Sequence, residues 1–387
     1  MRIDRFKLGG FLSYGRTPVG LDLRQLNVIV GTNGSGKSNL LDMVDLLRAA
    51  PTGLVDFVRK AGGVDEWVNN EVGREGNADI EVVVSAENAY DRLGYALSFA
   101  SANGNFSICS EEVVRLQSEH SRGRPVPCFA TAGDHLRFVS GGRMRQVVDA
   151  DYRFNESILS QRRDPIGYPE ITWLANAFSS IRVYRDWQFG RHSSLRFPCK
   201  TDQPNAYLLE DGSNLALVLN HLQKHPQAKD RLVRELSRLY EGIDDYTVLI
   251  DGGVAQLFLI ERGKLVSAMR LSDGTLRYLC ILAVLLNPVS TGLVCIEEPE
   301  VGLHPDVIPC LADMLVEASN RVQLIVTTHS DILIDALSEC PESVIVAEKL
   351  EAGTTLRRLG KKELAPWLEK YRLGNLWLRG EIGGVRR

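Results

Sequence analysis

The chain has 387 residues, of which 44% are hydrophobic and 24% are charged, and its formal net charge is −4 at pH 7. These values are typical of a globular protein with two or three ordinary domains, and they exclude a disordered or fibrous chain. The seven scattered cysteines form no Cys-x-x-Cys pair, so they indicate neither a disulfide framework nor a zinc site, and a reducing, cytoplasmic location is expected. The negative charge argues against a protein that coats nucleic acid, and the lack of a long apolar run argues against membrane association.

A glycine-rich loop lies between a predicted strand at 26–30 and a predicted helix at 39–48. Residues 31–38 read Gly-Thr-Asn-Gly-Ser-Gly-Lys-Ser, which is the G-x-x-x-x-G-K-[ST] pattern in its expected setting. We predict that its backbone N–H groups hold the phosphates of a nucleoside triphosphate, that Lys37 contacts the β- and γ-phosphates as part of the catalytic machinery, and that Ser38 is a Mg²⁺ ligand. The predicted nucleotide-binding residues are Gly31, Asn33, Gly34, Ser35, Gly36, Lys37, Ser38 and Asn39.

The middle of the chain predicts several smaller elements in an overall α/β fold. Alternating segments at 79–85, 95–100 and 106–109 predict an antiparallel meander, and residues 120–200 predict an inserted lobe with helices at 157–161 and 171–180 and a strand at 181–184. Two short helices are expected between 214 and 240, broken near Pro226. The predicted segments are an N-terminal half of the nucleotide-binding unit at 1–110, an inserted mixed or helical lobe at 111–240 and a C-terminal half at 241–387.

A second helix start with phosphate-binding character follows a hairpin-rich stretch at 246–269. Ser272, Asp273 and Gly274 precede an apolar helix expected at 278–286, and the free N–H groups of a helix start attract phosphate. Because one nucleotide does not need two such helix starts from one chain, we expect a head-to-tail pair. Each chain would then offer these three residues to the ATP that its partner holds.

Two polar strand ends complete the predicted site. The apolar run 293–296 is followed by Glu297, Glu298 and Glu300. We predict that Glu297 holds the Mg²⁺ ion or a water bound to it, while Glu298 accepts a proton from the attacking water. The apolar run 323–326 is followed by His329, which we predict to contact the γ-phosphate. After this strand a helix and a last strand at 343–347 are expected.

These motifs together resemble the ABC-type ATPase heads of the SMC, RecF and OLD group, especially compact bacterial RecF-like AAA-family ATPases. The resemblance rests on GTNGSGKSN at 31–39, LSDGT at 271–275, EEPE at 297–300 with VGLHP after it, and TTHSD at 327–331. It implies a mixed central sheet with an antiparallel β lobe and an inserted α/β lobe, and a homodimer that forms on ATP binding. The segment LSDGT at 271–275 corresponds to the signature motif of these ATPases, but it has Asp273 where transporter relatives carry glycine. Glu297 stands where an aspartate is commoner.

The resemblance also implies a role in DNA repair or in defence against phage, beside a separate nuclease or toxin. A TOPRIM nuclease domain is not expected, since no Asp-x-Asp pair follows the last predicted strand. An ATP-dependent clamp or scaffold with little turnover is the alternative, and a transporter subunit is disfavoured. The position of the Gln-loop stays open among Gln117, Gln161 and Gln188.

Basic residues outnumber acidic ones at 115–200 and at 348–387. Around Arg143, Arg145, Arg162 and Arg163 and in the C-terminal segment, this excess of positive charge favours weak, sequence-independent and salt-sensitive contact with DNA.

Overall fold

The computed structural model describes residues 1–70, 76–85, 92–116, 125–132, 135–140, 143–147, 152–185, 187–288 and 292–383. The strands in these ranges are β1 (Arg2–Gly9), β2 (Val19–Asp22), β3 (Leu26–Val30), β4 (Ala78–Ser85), β5 (Arg92–Ala102), β6 (Asn105–Leu116), β7 (Val126–Ala132), β8 (His135–Ser140), β9 (Arg143–Val147), β10 (Arg182–Tyr184), β11 (Cys199–Lys200), β12 (Ile243–Asp251), β13 (Val254–Glu261), β14 (Lys264–Ser267), β15 (Leu293–Glu297), β16 (Gln323–Thr328), β17 (Val344–Leu350) and β18 (Gly353–Arg358).

The helices in the same ranges are α1 (Lys37–Ala49), α2 (Leu54–Lys60), α3 (Ile158–Gln161), α4 (Pro169–Ser179), α5 (Leu215–Leu222), α6 (Pro226–Ser237), α7 (Asp273–Leu285), α8 (Ile308–Ser319), α9 (Asp331–Ala336), α10 (Lys361–Leu368) and α11 (Leu373–Leu378). None of these helices is long and apolar enough to span a lipid bilayer.

A mostly parallel central sheet carries the glycine-rich loop. Its strand order is β10-β15-β16-β3-β17-β18, in which β17 and β18 pair antiparallel and the other neighbours pair parallel. Every residue of β3 and β16 is buried, as expected for parallel strands that are covered on both faces. Because β16 lies between β15 and β3, the carboxyl ends of these three strands lie next to one another, where open α/β sheets bind ligands.

The central sheet is the middle layer between two hydrophobic cores. On one face, Ile29 of β3 packs with α1 and with an antiparallel sheet of order β2-β1-β4-β5-β6-β7-β8-β9. On the other face, Val28 and Val30 pack with α5, α7 and α8 and with a smaller antiparallel sheet of order β11-β13-β12, to which β14 is added on β13. The strand β14 leads through a short 3₁₀ turn at Ala268–Arg270 to the start of α7.

Several predicted elements are confirmed. The meander is formed by β4, β5 and β6, which pair antiparallel, and the helices expected at 157–161 and 171–180 are α3 and α4. The predicted boundary between residues 110 and 111 lies inside β6, and residues 111–240 supply strands to all three sheets. The three segments 1–110, 111–240 and 241–387 stay a prediction about domain organisation.

The expectation that residues 343–347 form the last strand is wrong. The strand β17 continues to Leu350, the chain turns at Gly353 with φ of 110°, and β18 returns antiparallel before α10 and α11 follow. A side chain at Gly353 would place its Cβ 2.5 Å from the backbone nitrogen of Gly15, so this hairpin lies directly against the β1–β2 turn. The strand β18 is short and largely polar, so its residues show no clear alternation of apolar and polar side chains.

Candidate functional site

The glycine-rich loop joins β3 to α1 as the sequence pattern predicts. Gly36 precedes α1 with φ of 94°, and a Cβ there would lie 2.5 Å from the Ser13 hydroxyl oxygen. At Gly31 a Cβ would lie 2.5 Å from the backbone oxygen of Ala347. Gly36 is therefore required both by its left-handed backbone conformation and by close packing, whereas Gly31 is required by close packing.

Lys37 is the first residue of α1, and its side chain folds back over the loop. Its Nζ donates to the carbonyl oxygens of Gly31 at 2.9 Å and Thr32 at 3.1 Å, and the residue is only 5% exposed. Burial lowers the pKa of Lys37 to about 8, although the nearby carboxylates of Glu298, Glu297 and Glu300 act in the opposite direction. The ammonium group is thus poorly compensated and suited to bind an anion that enters the loop.

A hydroxyl network that sequence reasoning missed supports the loop from behind. The Ser13 hydroxyl lies 2.7 Å from the Thr354 hydroxyl and accepts a hydrogen bond from the Asn39 side-chain amide at 2.7 Å. Thr354 in turn donates to the carbonyl oxygen of Ser35 at 3.0 Å. Asn39, predicted to bind nucleotide, therefore also connects α1 to the β1–β2 turn and to β18. Asn33 and Gly34 lie at the exposed tip of the loop.

Glu297, the last residue of β15, lies next to the start of α1. The Ser38 hydroxyl donates to Glu297 Oε1 at 2.5 Å, although the two residues are 259 positions apart in the chain. A hydroxyl and a carboxylate are the hard oxygen ligands that Mg²⁺ prefers, so the chemistry of this donor pair fits the predicted ion. The structure brings the two predicted metal ligands together.

Arg185 contacts the same carboxylate and was not identified from the sequence. It follows β10, the neighbour of β15, and its Nε lies 3.3 Å from Glu297 Oε2. The guanidinium also contacts Asp42 and Asp45 on α1. Burial lowers the pKa of Arg185, but these three carboxylates outweigh that effect and the net shift is upward.

Glu298 and His329 form a pair across neighbouring strand ends. The Nε2 atom of His329 lies 2.9 Å from Glu298 Oε1, and the backbone N–H of Glu298 donates to the carbonyl oxygen of Thr327 at 3.0 Å. Glu298 has φ of 43°, a left-handed conformation that costs about 1–3 kcal/mol in a non-glycine residue. Burial lowers the pKa of His329, as does the charge of Lys37, while Glu298 and Glu297 oppose the shift. The imidazole is therefore mostly neutral at neutral pH.

Glu300 has a supporting position that sequence reasoning did not assign. Its Oε1 accepts hydrogen bonds from the Thr328 hydroxyl at 2.5 Å and from the backbone N–H of His329 at 3.1 Å. The residue is buried, and burial raises the pKa of its carboxyl group. Glu300 therefore fixes the backbone that carries His329. The sequence signal that could have identified Glu300 is that it is the third glutamate in the four residues 297–300.

The predicted signature residues stand at the start of α7. Ser272 is the N-cap, and its hydroxyl accepts from the backbone N–H of Thr275 at 3.1 Å. Asp273 forms an ion pair with Arg196 and remains 64% exposed. At Gly274 a Cβ would lie 2.8 Å from the carbonyl oxygen of Gly302, so this glycine is required by close packing rather than by a positive φ.

The structure describes two of the three glutamines that are candidates for the Gln-loop, Gln161 and Gln188. Gln117 lies outside the described residues. The side-chain amide of Gln161 donates to the carbonyl oxygens of Arg153 and Glu156, which occupies it in local structure. Gln188 is exposed and follows β10 by four positions, on the same segment as Arg185.

The chemistry of the site lies at the ends of three parallel strands. The glycine-rich loop, or P-loop, follows β3, His329 follows the adjacent strand β16, and Glu297 and Glu298 stand at the end of β15, the strand beyond it. This arrangement defines an ATPase head of the ABC type. A model of the family described as AAA domain, putative AbiEii toxin, Type IV TA system, matches residues 26–335, and the chain belongs to this family. It is 19% identical over 403 residues to the Retron Vc95 probable ATPase of Vibrio cholerae serotype O1 biovar El Tor, with 91% of this chain and 74% of that protein covered.

Solved structures with the same fold are SMC heads. One is the SmcHead bound to the C-winged helix domain of ScpA, with a TM-score of 0.58 and 14% identity over 94% of this chain and 99% of that one. Another is the Smc head domain with an extended coiled coil bound to the C-terminal domain of ScpA derived from Pyrococcus furiosus, with a TM-score of 0.55 and 14% identity over 95% and 99% of the two chains. The expected fold class is confirmed.

Proposed function

We propose that this chain hydrolyses ATP with Mg²⁺ and that two chains close head to tail around two nucleotides. The observation that carries the proposal is the contact at 2.5 Å between the Ser38 hydroxyl of the P-loop and the Glu297 carboxylate. It joins the two halves of a phosphoryl-transfer site through residues that are suited to hold the metal. Glu298 and His329 lie at the neighbouring strand ends, where the terminal phosphate would be attacked.

Each side chain has a distinct role in this proposal. Lys37 would leave its loop carbonyls to contact the β- and γ-phosphates. Ser38 and Glu297 would hold Mg²⁺, which would supply positive charge to neutralise the phosphates. Glu298 orients the attacking water and accepts its proton. His329, neutral and held by Glu300 through its backbone, donates from its imidazole to Glu298 and turns to the γ-phosphate when ATP is bound.

The second half of each site would come from the partner chain. Ser272, Asp273 and Gly274 form the start of α7, whose N–H groups and dipole attract phosphate. Val301, which is 47% exposed, and His304, whose side chain is 69% exposed, lie on the segment that packs against Gly274. We place the dimer seam on this surface.

The relation to a retron ATPase supports a role in defence, with a separate effector such as a nuclease or toxin. Two of the arginines in the basic segments that favour DNA contact are engaged within the chain. Arg163 donates to the carbonyl oxygen of Pro51, and Arg358 donates to those of Asp22 and Glu342, so these guanidinium groups already have partners within the chain. The side chains of Arg143 and Arg145 lie outside the described part of the structure.

The direct test is phosphate release from ATP by the purified chain, with and without Mg²⁺. We expect slow Mg²⁺-dependent turnover that is lost in Lys37→Ala, because the β- and γ-phosphates lose the ammonium group of the loop. Equal turnover by the wild type and this variant would reject the assigned site. A wild type that binds ATP but does not turn over would favour a clamp or scaffold.

A further inference from the structure

Arg185 is largely buried and makes several contacts within the site, unlike an arginine in a surface ion pair. Its side chain is 19% exposed, and it reaches two elements that are far apart in sequence, α1 and β15. The Nη1 atom lies 2.7 Å from Asp42 Oδ1 and 3.1 Å from Asp45 Oδ2, and Nη2 donates to the carbonyl oxygen of Ser38 at 3.2 Å. One guanidinium therefore contacts the first turns of α1 and the acid at the end of β15.

These contacts define the orientation of the Glu297 carboxylate. Its Oε1 accepts from the Ser38 hydroxyl and its Oε2 accepts from Arg185 Nε, so each carboxylate oxygen has its own partner. Ser38, Asp42 and Asp45 share one face of α1, because they are spaced four and three residues apart. The planar fork of an arginine can serve all of these acceptors at once, which the single ammonium group of a lysine cannot do.

The charges lead to the same conclusion. Asp42, Asp45 and Glu297 bring three carboxylates together around Arg185, and Asp45 also contacts Arg48 at 2.8 Å. Removing the Arg185 charge would leave carboxylates close together with less compensation, and they would move apart or bind cations in other geometries. Glu297 would then no longer have a single position relative to Ser38.

We propose that Arg185 is a positioning residue, which holds Glu297 and the first turn of α1 so that Glu297 and Ser38 meet one Mg²⁺ ion. This inference rests on the proposed ATPase function. It predicts that loss of Arg185 weakens the response to Mg²⁺ while leaving metal-free nucleotide binding intact, because Lys37 and the loop N–H groups make no contact with the guanidinium among the described hydrogen bonds.

The experiment measures the affinity for a fluorescent methylanthraniloyl-ATP with EDTA and along a Mg²⁺ titration, for the wild type, Arg185→Gln and Arg185→Lys. For Arg185→Gln we expect a nucleotide affinity in EDTA that stays within about two-fold of the wild type. The Mg²⁺ concentration that produces half of the Mg²⁺-dependent change in affinity should rise at least about ten-fold, the equivalent of about 1.4 kcal/mol. Arg185→Lys should fall between, since it keeps the charge without the fork. If the glutamine variant does not fold, the lysine variant carries the same comparison.

Arg182→Gln is the matched control. Arg182 lies on the same strand, but its guanidinium is 4.2 Å from the centre of the Tyr207 ring and donates to the carbonyl oxygens of Ser179 and Ile181. It should show the wild-type response to Mg²⁺.

Three results would overturn the inference or the function beneath it. Arg185→Gln with a wild-type Mg²⁺ titration would refute the positioning role alone. Equal weakening in EDTA and in Mg²⁺ would show that Arg185 only supports the fold of the loop. A wild type whose nucleotide affinity and turnover do not respond to Mg²⁺ would reject the proposed ATPase function itself.

Discussion

ATP binding should be linked to uptake of a proton by Lys37. In the free chain this lysine is buried beneath the P-loop and has a pKa of about 8. The triphosphate would bring several negative charges to the same nitrogen atom, and nearby negative charge raises the pKa of an amine. The protonated lysine should therefore be the form that binds ATP.

The magnitude follows from the pKa of the free chain. At pH 8 about half of the chains would hold Lys37 neutral, so binding should take up about half a proton per site, compared with about a tenth at pH 7. The sign is fixed, because a pKa that rises on binding gives proton uptake. Affinity should therefore be highest below pH 8, and above it should fall by up to about ten-fold per pH unit.

Isothermal titration calorimetry with a non-hydrolysable ATP analogue measures this uptake when it is run in two buffers of different ionisation enthalpy. Lys37→Arg is the control, because a guanidinium stays charged throughout this pH range and should take up no proton. A wild-type uptake that does not change between pH 7 and pH 8, or one that Lys37→Arg reproduces, would refute the assignment of the titrating group.

Three further predictions concern the acid pair, the loop and a buried carboxyl group. Glu298→Gln should slow hydrolysis at least about 100-fold and accumulate an ATP-bound dimer, and light scattering that shows one unchanged mass with and without ATP would count against this. Gly36→Ala should lower both the unfolding temperature and the ATP affinity more than Gly34→Ala does. Both positions have positive φ, but only a Cβ at Gly36 would lie near Ser13 Oγ. Equal effects of the two variants on the unfolding temperature would contradict this packing argument. Glu111 lies in β6 and is buried, and burial raises its pKa from 4.5 to about 7. The unfolded chain would therefore release this proton at a lower pH than the folded chain, so the free energy of unfolding should fall by about 3 kcal/mol as pH rises from 4.5 to 7. Urea unfolding along this pH range should show a shallower decline in Glu111→Gln, and an equal decline in both proteins would contradict the assignment.

The parts of the fold with long apolar runs could be predicted from the sequence. The strands β3, β15 and β16 are largely buried, and each contains three or four consecutive apolar residues, at 28–30, 293–296 and 324–326. A glycine-rich or polar segment follows each of these runs. Since parallel strands align their carboxyl ends, Lys37, Glu297 and His329 could be grouped before the structure was known. The hairpin of β17 and β18 could not, because β18 is short and largely polar.

The supporting residues of the site were harder to find because their contacts join distant parts of the chain. Arg185 and Asp42 are 143 positions apart, and Ser13 and Thr354 are 341 apart. A partial signal existed for the first pair, since Asp42 and Asp45 lie near Ser38 on one face of α1, and two neighbouring carboxylates favour a cation beside them. Nothing in the sequence indicated that this cation follows β10.

The shared-site arrangement is tested most directly by mixing two inactive variants, Lys37→Ala and Ser272→Arg. Each supplies what the other lacks, so a heterodimer should contain one competent site of two, and an equal mixture should recover up to about a quarter of wild-type phosphate release. Thermal unfolding checks that loss of the Ser272 cap, worth about 1 kcal/mol, has not unfolded the second variant. Recovery in the mixture is the result we predict. Full activity of Ser272→Arg alone, or no recovery with heterodimers verified, would contradict a site shared between two chains.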